Sequence, residues 1–231
     1  MAQYDLLVIG SGPAGQKAAV QAAKLGKKVG IVERRAVVGG VSTNTGTIPS
    51  KALREAVLYL SGFRQRNLYG AGYRLKETVT IEDLAFRANH IIKNEIEIVE
   101  DQMARNRIDL IYGEASFIDP HQILIQQAGT LTEHGAHVII IAVGTEPTRP
   151  NDIPFDGQTI IDTDGLVTLK HLPPSMIIVG GGVIGTEYAS ILAMIGVSVI
   201  LIDKRPRLLE FVDAQIIEAL QRQMTDIGVT I

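Results

Sequence analysis

Between Gly39 and Lys51 the chain reads GGVSTNTGTIPSK, a stretch dense in glycine, hydroxyls and amides that ends on a lysine. It has the density of a reaction centre but holds no thiol, imidazole or carboxylate to act as nucleophile or base. Cysteine is absent from all 231 residues, which excludes disulfides, thiolate metal sites and thiol catalysis in this chain. A loop of this composition suits chemistry that needs positioning and charge more than a protein nucleophile, such as transfer between cofactor rings.

Two glycine turns say where such rings would be held. GSGPAG spans Gly10 to Gly15 (with Pro13 and Ala14 inside it), and GGGVIG spans Gly180 to Gly185 (with Val183 and Ile184 inside it). The first glycine of each, Gly10 or Gly180, permits a tight turn. The second, Gly12 or Gly182, lets backbone N–H groups approach a pyrophosphate, and the third, Gly15 or Gly185, lets helix and strand pack closely. The phosphate then lies at a helix N-terminus, where unpaired N–H groups and the helix dipole favour negative charge. Each turn follows an apolar strand, opens a helix, and is followed 23 positions after its first glycine by an acid, Glu33 or Asp203. Either acid can accept hydrogen bonds from adenosine ribose hydroxyls. Asp203 is followed at once by Lys204 and Arg205, then Arg207. A carboxylate and one phosphate charge at 4 Å repel by about 1 kcal/mol in water and about 4 at an effective dielectric of 20. Asp203 alone therefore disfavours a 2′-phosphate, and a well-placed arginine offsets most of that penalty. Two dinucleotide sites in one chain imply two cofactors handing something across, and nicotinamide and flavin rings exchange hydride.

The elements that must position these residues repeat. YDLLVI (4–9) reads as a strand, Ala14 to Leu25 as a helix stopped by Gly26, and Val29 to Glu33 as a second strand, which makes a βαβ unit with parallel strands. The pattern returns from Met176, with Gly180 lying 170 positions after Gly10 and Asp203 lying 170 after Glu33. Between the copies, Pro49 to Leu60 reads as a helix begun by its proline, and Ile81 to Arg105 as a long amphipathic helix. DLIYGEASFID, QILIQ and AHVIIIAVG read as strands, and the proline-rich Gly144 to Pro154 as a connection between domains. After Asp203 only a helix (Asp213 to Ile227) and the start of a strand follow. That is little sheet for a well-buried domain, so the sequence reads as a fragment.

A formal net charge of -3 points to neither nucleic acid nor an anionic membrane. The apolar runs are too short to span a bilayer and no export signal is read at the N-terminus, so cytoplasm is the expected location. His90, His121, His134, His137 and His171 fit no metal spacing and read as surface or turn residues, and no metal is expected.

Taken together, GSGPAG, Glu33, GGVSTNTGTIPSK, the AVGTEP around Gly144 and GGGVIGTEYAS resemble the flavoprotein disulfide reductase superfamily, in order and over essentially the whole chain. The resemblance implies an α/β fold: a Rossmann-like FAD domain (parallel sheet plus β-meander) over 1–150, lacking its C-terminal part, and the start of an inserted NAD(P) domain over 151–231. Most of that superfamily carries a redox cysteine pair where Ser42 and Thr47 stand here, so dithiol–disulfide exchange is excluded. The branch that looks closest is that of the soluble pyridine nucleotide transhydrogenases, which have threonine within GTIPSK; that branch commonly keeps the first cysteine, where this chain has Ser42.

Carried over by motif, the resemblance implies that Gly10, Gly12, Pro13, Ala14 and Gly15 line the FAD pyrophosphate. Glu33 and Arg34 lie at its ribose, and Gly39, Gly40, Val41 and the loop to Thr47 along the flavin. Ala142 and Gly144 belong to a second FAD-contacting motif, in which Val143 replaces the usual threonine. Gly180, Gly182, Val183, Ile184, Gly185, Asp203, Lys204 and Arg205 would hold the nicotinamide dinucleotide. Lys51 would approach the flavin N5 region and pair with Glu187, the two acting as the catalytic pair. The implied activity is hydride transfer between NADPH/NADP and NADH/NAD through FAD, without a redox disulfide. Nicotinamide dinucleotides are the implied partners, and homodimerisation is expected of a longer protein through a C-terminal domain. The 231 residues alone are not expected to turn over. A diaphorase-like NAD(P)H:acceptor flavoprotein and a non-catalytic dinucleotide-binding module are the alternatives.

Overall fold

A computed structural model describes residues 2–70 and 72–231. The apolar run before Gly10 forms β1 (Ala2–Ile9), the alanine-rich run α1 (Pro13–Lys24), and the next apolar run β2 (Val29–Glu33). The glycine-rich loop is partly helical, with α2 (Gly40–Asn44) followed by α3 (Thr47–Leu60), a single 3-10 turn (Phe63–Gln65) and α4 (Arg66–Tyr69). The long helix α5 (Ile81–Arg105) leads into β3 (Asp109–Tyr112), β4 (Glu114–Asp119), β5 (Gln122–Gln127) and β6 (Thr130–Ile141). The second half contains α6 (Thr163–Val167), β7 (Ser175–Val179), α7 (Val183–Met194), β8 (Ser198–Ile202), α8 (Ala214–Asp226) and β9 (Val229–Thr230).

Three sequence expectations are corrected. Helix α3 begins at Thr47, so Pro49 is its third residue and not its first; the first N–H groups of a helix have no internal partner, so the proline costs no hydrogen bond there. Strand β6 starts at Thr130, six residues before the apolar run, because polar TLTEHG pairs with β5 (Gln127↔Thr130 to Gln122↔Gly135). His134, read as a surface or turn residue, is half-buried within β6 and stacks on Tyr4 with ring centroids 6.2 Å apart. Burial lowers its pKa. The start of α5 is set by a capping box: Thr80 N donates to Asp83 Oδ2 at 2.8 Å and Asp83 N to Thr80 Oγ1 at 3.4 Å.

Contacts divide the chain into two units, one made of residues up to Pro49 with His90–Thr148, the other of Ser50–Asn89 with Arg149–Ile231. In the first, the sheet order is β3-β2-β1-β6-β5-β4, parallel through β6 and antiparallel beyond it. One face packs Leu6, Val8, Val29 and Ile31 against Ala19 and Val20 of α1 and Val99 and Met103 of α5. The sheet curls so that Ile123 and Ile125 of the antiparallel ribbon cover Leu7 and Val32 on the other face. Both faces of the central strands β1 and β2 are thus buried, as parallel strands require.

In the second unit, β7-β8-β9 form a parallel sheet. Val199, Leu201 and Val229 pack against Ala189 and Leu192 of α7 and Ile217 and Met224 of α8. The alternate residues Ile177, Val179, Ile200 and Ile202 form an exposed apolar face. No helix among the described residues is long and apolar enough to cross a membrane.

Candidate functional site

In the first unit, the strand–turn–helix junction gathers Gly10, Ser11, Gly12, Gly15, Glu33, Gly39, Gly40 and Ala142. Gly10 has φ +106, a left-handed conformation, and a β-carbon there would overlap the Ala142 carbonyl. Ala142 N donates to Ile9 O at 2.8 Å, which ties the end of β6 to this turn. A β-carbon on Gly15 would run into the Gly10 carbonyl oxygen, so the third glycine sets how closely strand and helix meet. Gly12 is different: a β-carbon there would meet nothing nearer than Gly40 Cα at 4.0 Å. Its bareness serves no internal contact and leaves open space above a helix start. Gly39 and Gly40 enter α2 with φ +102 and +61, which brings the loop back over this turn.

The N-terminus of α1 has no side-chain cap, and Pro13 occupies its first turn. Helix α7, opened by Gly182, likewise has none. Helices α6 and α8 are capped by Asp162 and Asp213, whose carboxylates accept from first-turn N–H groups. Uncapped N-terminal N–H groups need a partner, and an anion such as a pyrophosphate satisfies them. The residues present fit a dinucleotide at both turns. In the second, a β-carbon on Gly185 would overlap the Gly180 carbonyl oxygen, and one on Gly182 would meet nothing within 4 Å. Pro13 and Ala14, and Val183 and Ile184, stand exposed at these helix starts.

The two acids, Glu33 closing β2 and Asp203 directly after β8, occupy matching settings with different partners. Glu33 is 6% exposed. Its Oε2 accepts from Ser11 N at 3.0 Å and Ser11 Oγ at 2.5 Å, and its Oε1 from Arg35 N at 2.9 Å. Asp203 Oδ2 accepts from Gly181 N at 2.6 Å and Arg205 Nη2 at 2.7 Å, and Oδ1 from Arg205 N and Nε at 2.8 Å each. The Arg205 fork, its backbone N–H and that of Gly181 hold the Asp203 carboxyl well below the usual range. Lys204 is exposed beside it. Arg34 points away to an exposed pair with Glu146 at 3.4 Å, a contact worth about 0–1 kcal/mol.

Beyond the end of β2 an open depression of about 740 Å³ is lined by Arg34, Arg35, Tyr112, Gly113, Gln126 and Ala128, among others. Sequence reasoning missed this site and the roles of Ser11 and Arg35. The only signal was the glycine after β3, Gly113 (φ +147), whose β-carbon would crowd Ile125 and the Gln126 carbonyl.

Within the GGVSTNTGTIPSK stretch, Val41 is half-buried in α2, Thr45 Oγ1 is buried without a hydrogen-bond partner, and Thr47 opens α3. Gly144, with φ +68, follows the exposed Val143. In the second unit Lys51 of α3 meets Glu187 of α7, Nζ donating to Oε1 at 2.5 Å, with the lysine side chain 58% and the glutamate 18% exposed. Beside Glu187, Tyr188 is 4% exposed and its hydroxyl has no partner. Burial, with the Glu187 and Asp164 carboxylates, pushes its pKa up to about 12. Among the described residues no three His, Cys, Asp or Glu side chains converge as metal ligands.

The sequence pattern of the pyridine nucleotide-disulphide oxidoreductase family matches residues 4–231. The chain is 52% identical over 232 residues to a soluble pyridine nucleotide transhydrogenase of Mycobacterium bovis, covering 100% of this chain and 50% of that protein. It is 42% identical over 229 residues to one of Colwellia psychrerythraea, covering 99% and 49%. Among solved structures, the Cu(II) complex of the HOCl-induced flavoprotein disulfide reductase RclA from Escherichia coli superposes with a TM-score of 0.84 at 29% identity, covering 100% of this chain and 49% of that one. The chain spans about half the length of the curated relatives it matches.

Proposed function

This chain belongs to the pyridine nucleotide-disulphide oxidoreductase family, and we propose from that membership that it is the FAD- and nicotinamide-binding part of an oxidoreductase that passes hydride between NADP(H) and NAD(H). Bound FAD supplies a two-electron acceptor able to take hydride from one nicotinamide dinucleotide and return it to the other. The observation that carries the proposal is a pair of uncapped helix N-termini, each over a bare second glycine, in a chain without cysteine.

Each group then has work that its own chemistry allows. The α1 N-terminus and Gly12 bind the FAD pyrophosphate, Glu33 orients the adenosine ribose, and the depression beside Arg35 and Tyr112 takes the adenine end. The α7 N-terminus and Gly182 bind the nicotinamide dinucleotide, with Asp203 and its basic neighbours at the ribose. Lys51, aimed by Glu187, provides a fixed ammonium for the charge that accumulates on reduction, and electrostatic preorganisation of this kind needs no proton relay. Ser42 and Thr47 supply hydroxyls where a thiol relay would need sulfur, so bound rings would exchange hydride without one. The soluble transhydrogenase name of the relatives supports this reading over one that uses a disulfide.

The test is a comparison of two activities in the longest natural form of the polypeptide. Cycling between NADPH and a thio-NAD⁺ acceptor that exceeds quinone or dye reduction supports transhydrogenation. Quinone reduction without nicotinamide cycling replaces it with a diaphorase-like function.

A further inference from the structure

The two acids are related by the same 170-residue offset as their turns, and so are their neighbours: Ser11 corresponds to Gly181 and Arg35 to Arg205. The backbone contacts repeat, with turn N–H and i+2 N–H both reaching the carboxylate. The side-chain contacts do not. In the first copy the Ser11 hydroxyl completes the shell of Glu33, and Arg35 gives it only its backbone N–H. In the second, Gly181 has no hydroxyl, and the Arg205 guanidinium closes on Asp203 with two nearly equal contacts.

We propose that Arg205 is a two-position residue that lets the second site accept adenosine ribose with or without a 2′-phosphate, resting on the dinucleotide reading above. In the parked position, seen here, the fork neutralises Asp203 and, with the Gly181 and Arg205 N–H groups, fills the acceptor sites of its carboxylate, and this is the position for a ribose bearing free hydroxyls. In the other position the fork turns to a 2′-phosphate, which it matches as well as it matches a carboxylate, since both offer paired oxygens in one plane. The exchange is feasible because neither partner is stranded by it. Asp203 keeps the N–H groups of Gly181 and Arg205 when the guanidinium leaves. The arginine side chain is 37% exposed and the aspartate 7%, so the movable partner is the one facing solvent. Lys204 and Arg207, both exposed next to it, add positive charge without specifying either position. The first site has no such cation on its acid and is thereby confined to unphosphorylated ribose, so the two sites do not interchange their dinucleotides.

The experiment uses the longest natural form of the polypeptide in saturating FAD, titrated calorimetrically with adenosine 2′,5′-bisphosphate and, separately, with ADP. Parent protein binding both probes within about tenfold of each other is expected. Arg205→Gln is expected to weaken the bisphosphate tenfold or more relative to ADP, with Arg205→Lys intermediate because it restores charge without the fork. Asp203→Asn, which releases the guanidinium, is expected to shift the ratio toward the bisphosphate. Equal weakening of both probes by Arg205→Gln assigns the arginine a structural role and overturns the proposal, as does an unchanged ratio. If the parent binds neither probe, the nucleotide reading of the second site fails along with it.

Discussion

Alanine substitution at Gly12 and Gly15 separates the glycine that makes room for a ligand from the one that lets strand and helix meet. At Gly12 the backbone has φ −68 and ψ 177, open to alanine, and the added methyl meets only Gly40 Cα, at 4.0 Å. Alanine is the poorer helix N-cap by up to about 1 kcal/mol, and stiffening the unfolded chain offsets about 0.4–1 of that. Gly12→Ala should therefore unfold within about 1 kcal/mol of the parent. At Gly15 the methyl would overlap the Gly10 carbonyl oxygen and lie 3.1 Å from both the Gly10 carbonyl carbon and Val8 Cγ1. Backbone atoms cannot rotate away, so strand and helix must part. Overpacking costs about 1–3 kcal/mol, and an overlap with backbone falls at the upper end of that range; helix propensity returns about 1, so the net loss is about 2. Urea unfolding by circular dichroism reads stability, and FAD fluorescence quenching reads binding. Gly12→Ala should keep its unfolding midpoint yet lose FAD affinity tenfold or more, because its methyl occupies the pyrophosphate's place. Gly15→Ala should lose stability first. Gly182 and Gly185 repeat the contrast for NADPH. Parental FAD affinity in Gly12→Ala, or parental stability in Gly15→Ala, refutes the division of roles.

Other outcomes follow from single groups. Glu187→Gln should change stability by less than about 1 kcal/mol, because Lys51 is largely exposed, while slowing NADPH bleaching of bound FAD about tenfold or more in stopped flow. Asp83, through the Lys76 ammonium and Thr80 N–H, and Asp203, through Arg205 and Gly181, both titrate below the ordinary range. Depressed folded-state values give stability that is complete above the unfolded pKa of about 4 and lost as pH falls through the folded one. Urea midpoints should therefore drop on the acid side of pH ~4, less steeply in Arg205→Gln. Tyr188→Phe removes a buried hydroxyl that has no partner and should leave stability unchanged or raise it by about 1 kcal/mol; a loss of that size in urea unfolding would contradict the contact pattern.

Much of this was legible in the sequence because glycine spacing and apolar periodicity have direct backbone consequences. The strands β1 and β2 and the helices α1, α5 and α8 fall within two residues of their expected ends. The short helix α2 was not legible: two successive glycines with positive φ read as loop until the turn they make is seen. The first half of β6 was hidden because its pairing with β5 is made by backbone, while its side chains are polar. At the site, composition located Glu33, Asp203 and the basic residues near them. It did not show that a serine hydroxyl completes one acid and a guanidinium the other, since that depends on which side chain the fold turns inward.

The direct test of the central idea is the visible spectrum of the longest natural polypeptide, isolated with FAD bound and kept free of oxygen. The flavin band near about 450 nm should bleach on adding NADPH and recover on adding NAD⁺, unaffected by prior treatment with a thiol-alkylating reagent. A band that neither dinucleotide changes, or whose recovery is abolished by alkylation, contradicts direct ring-to-ring transfer.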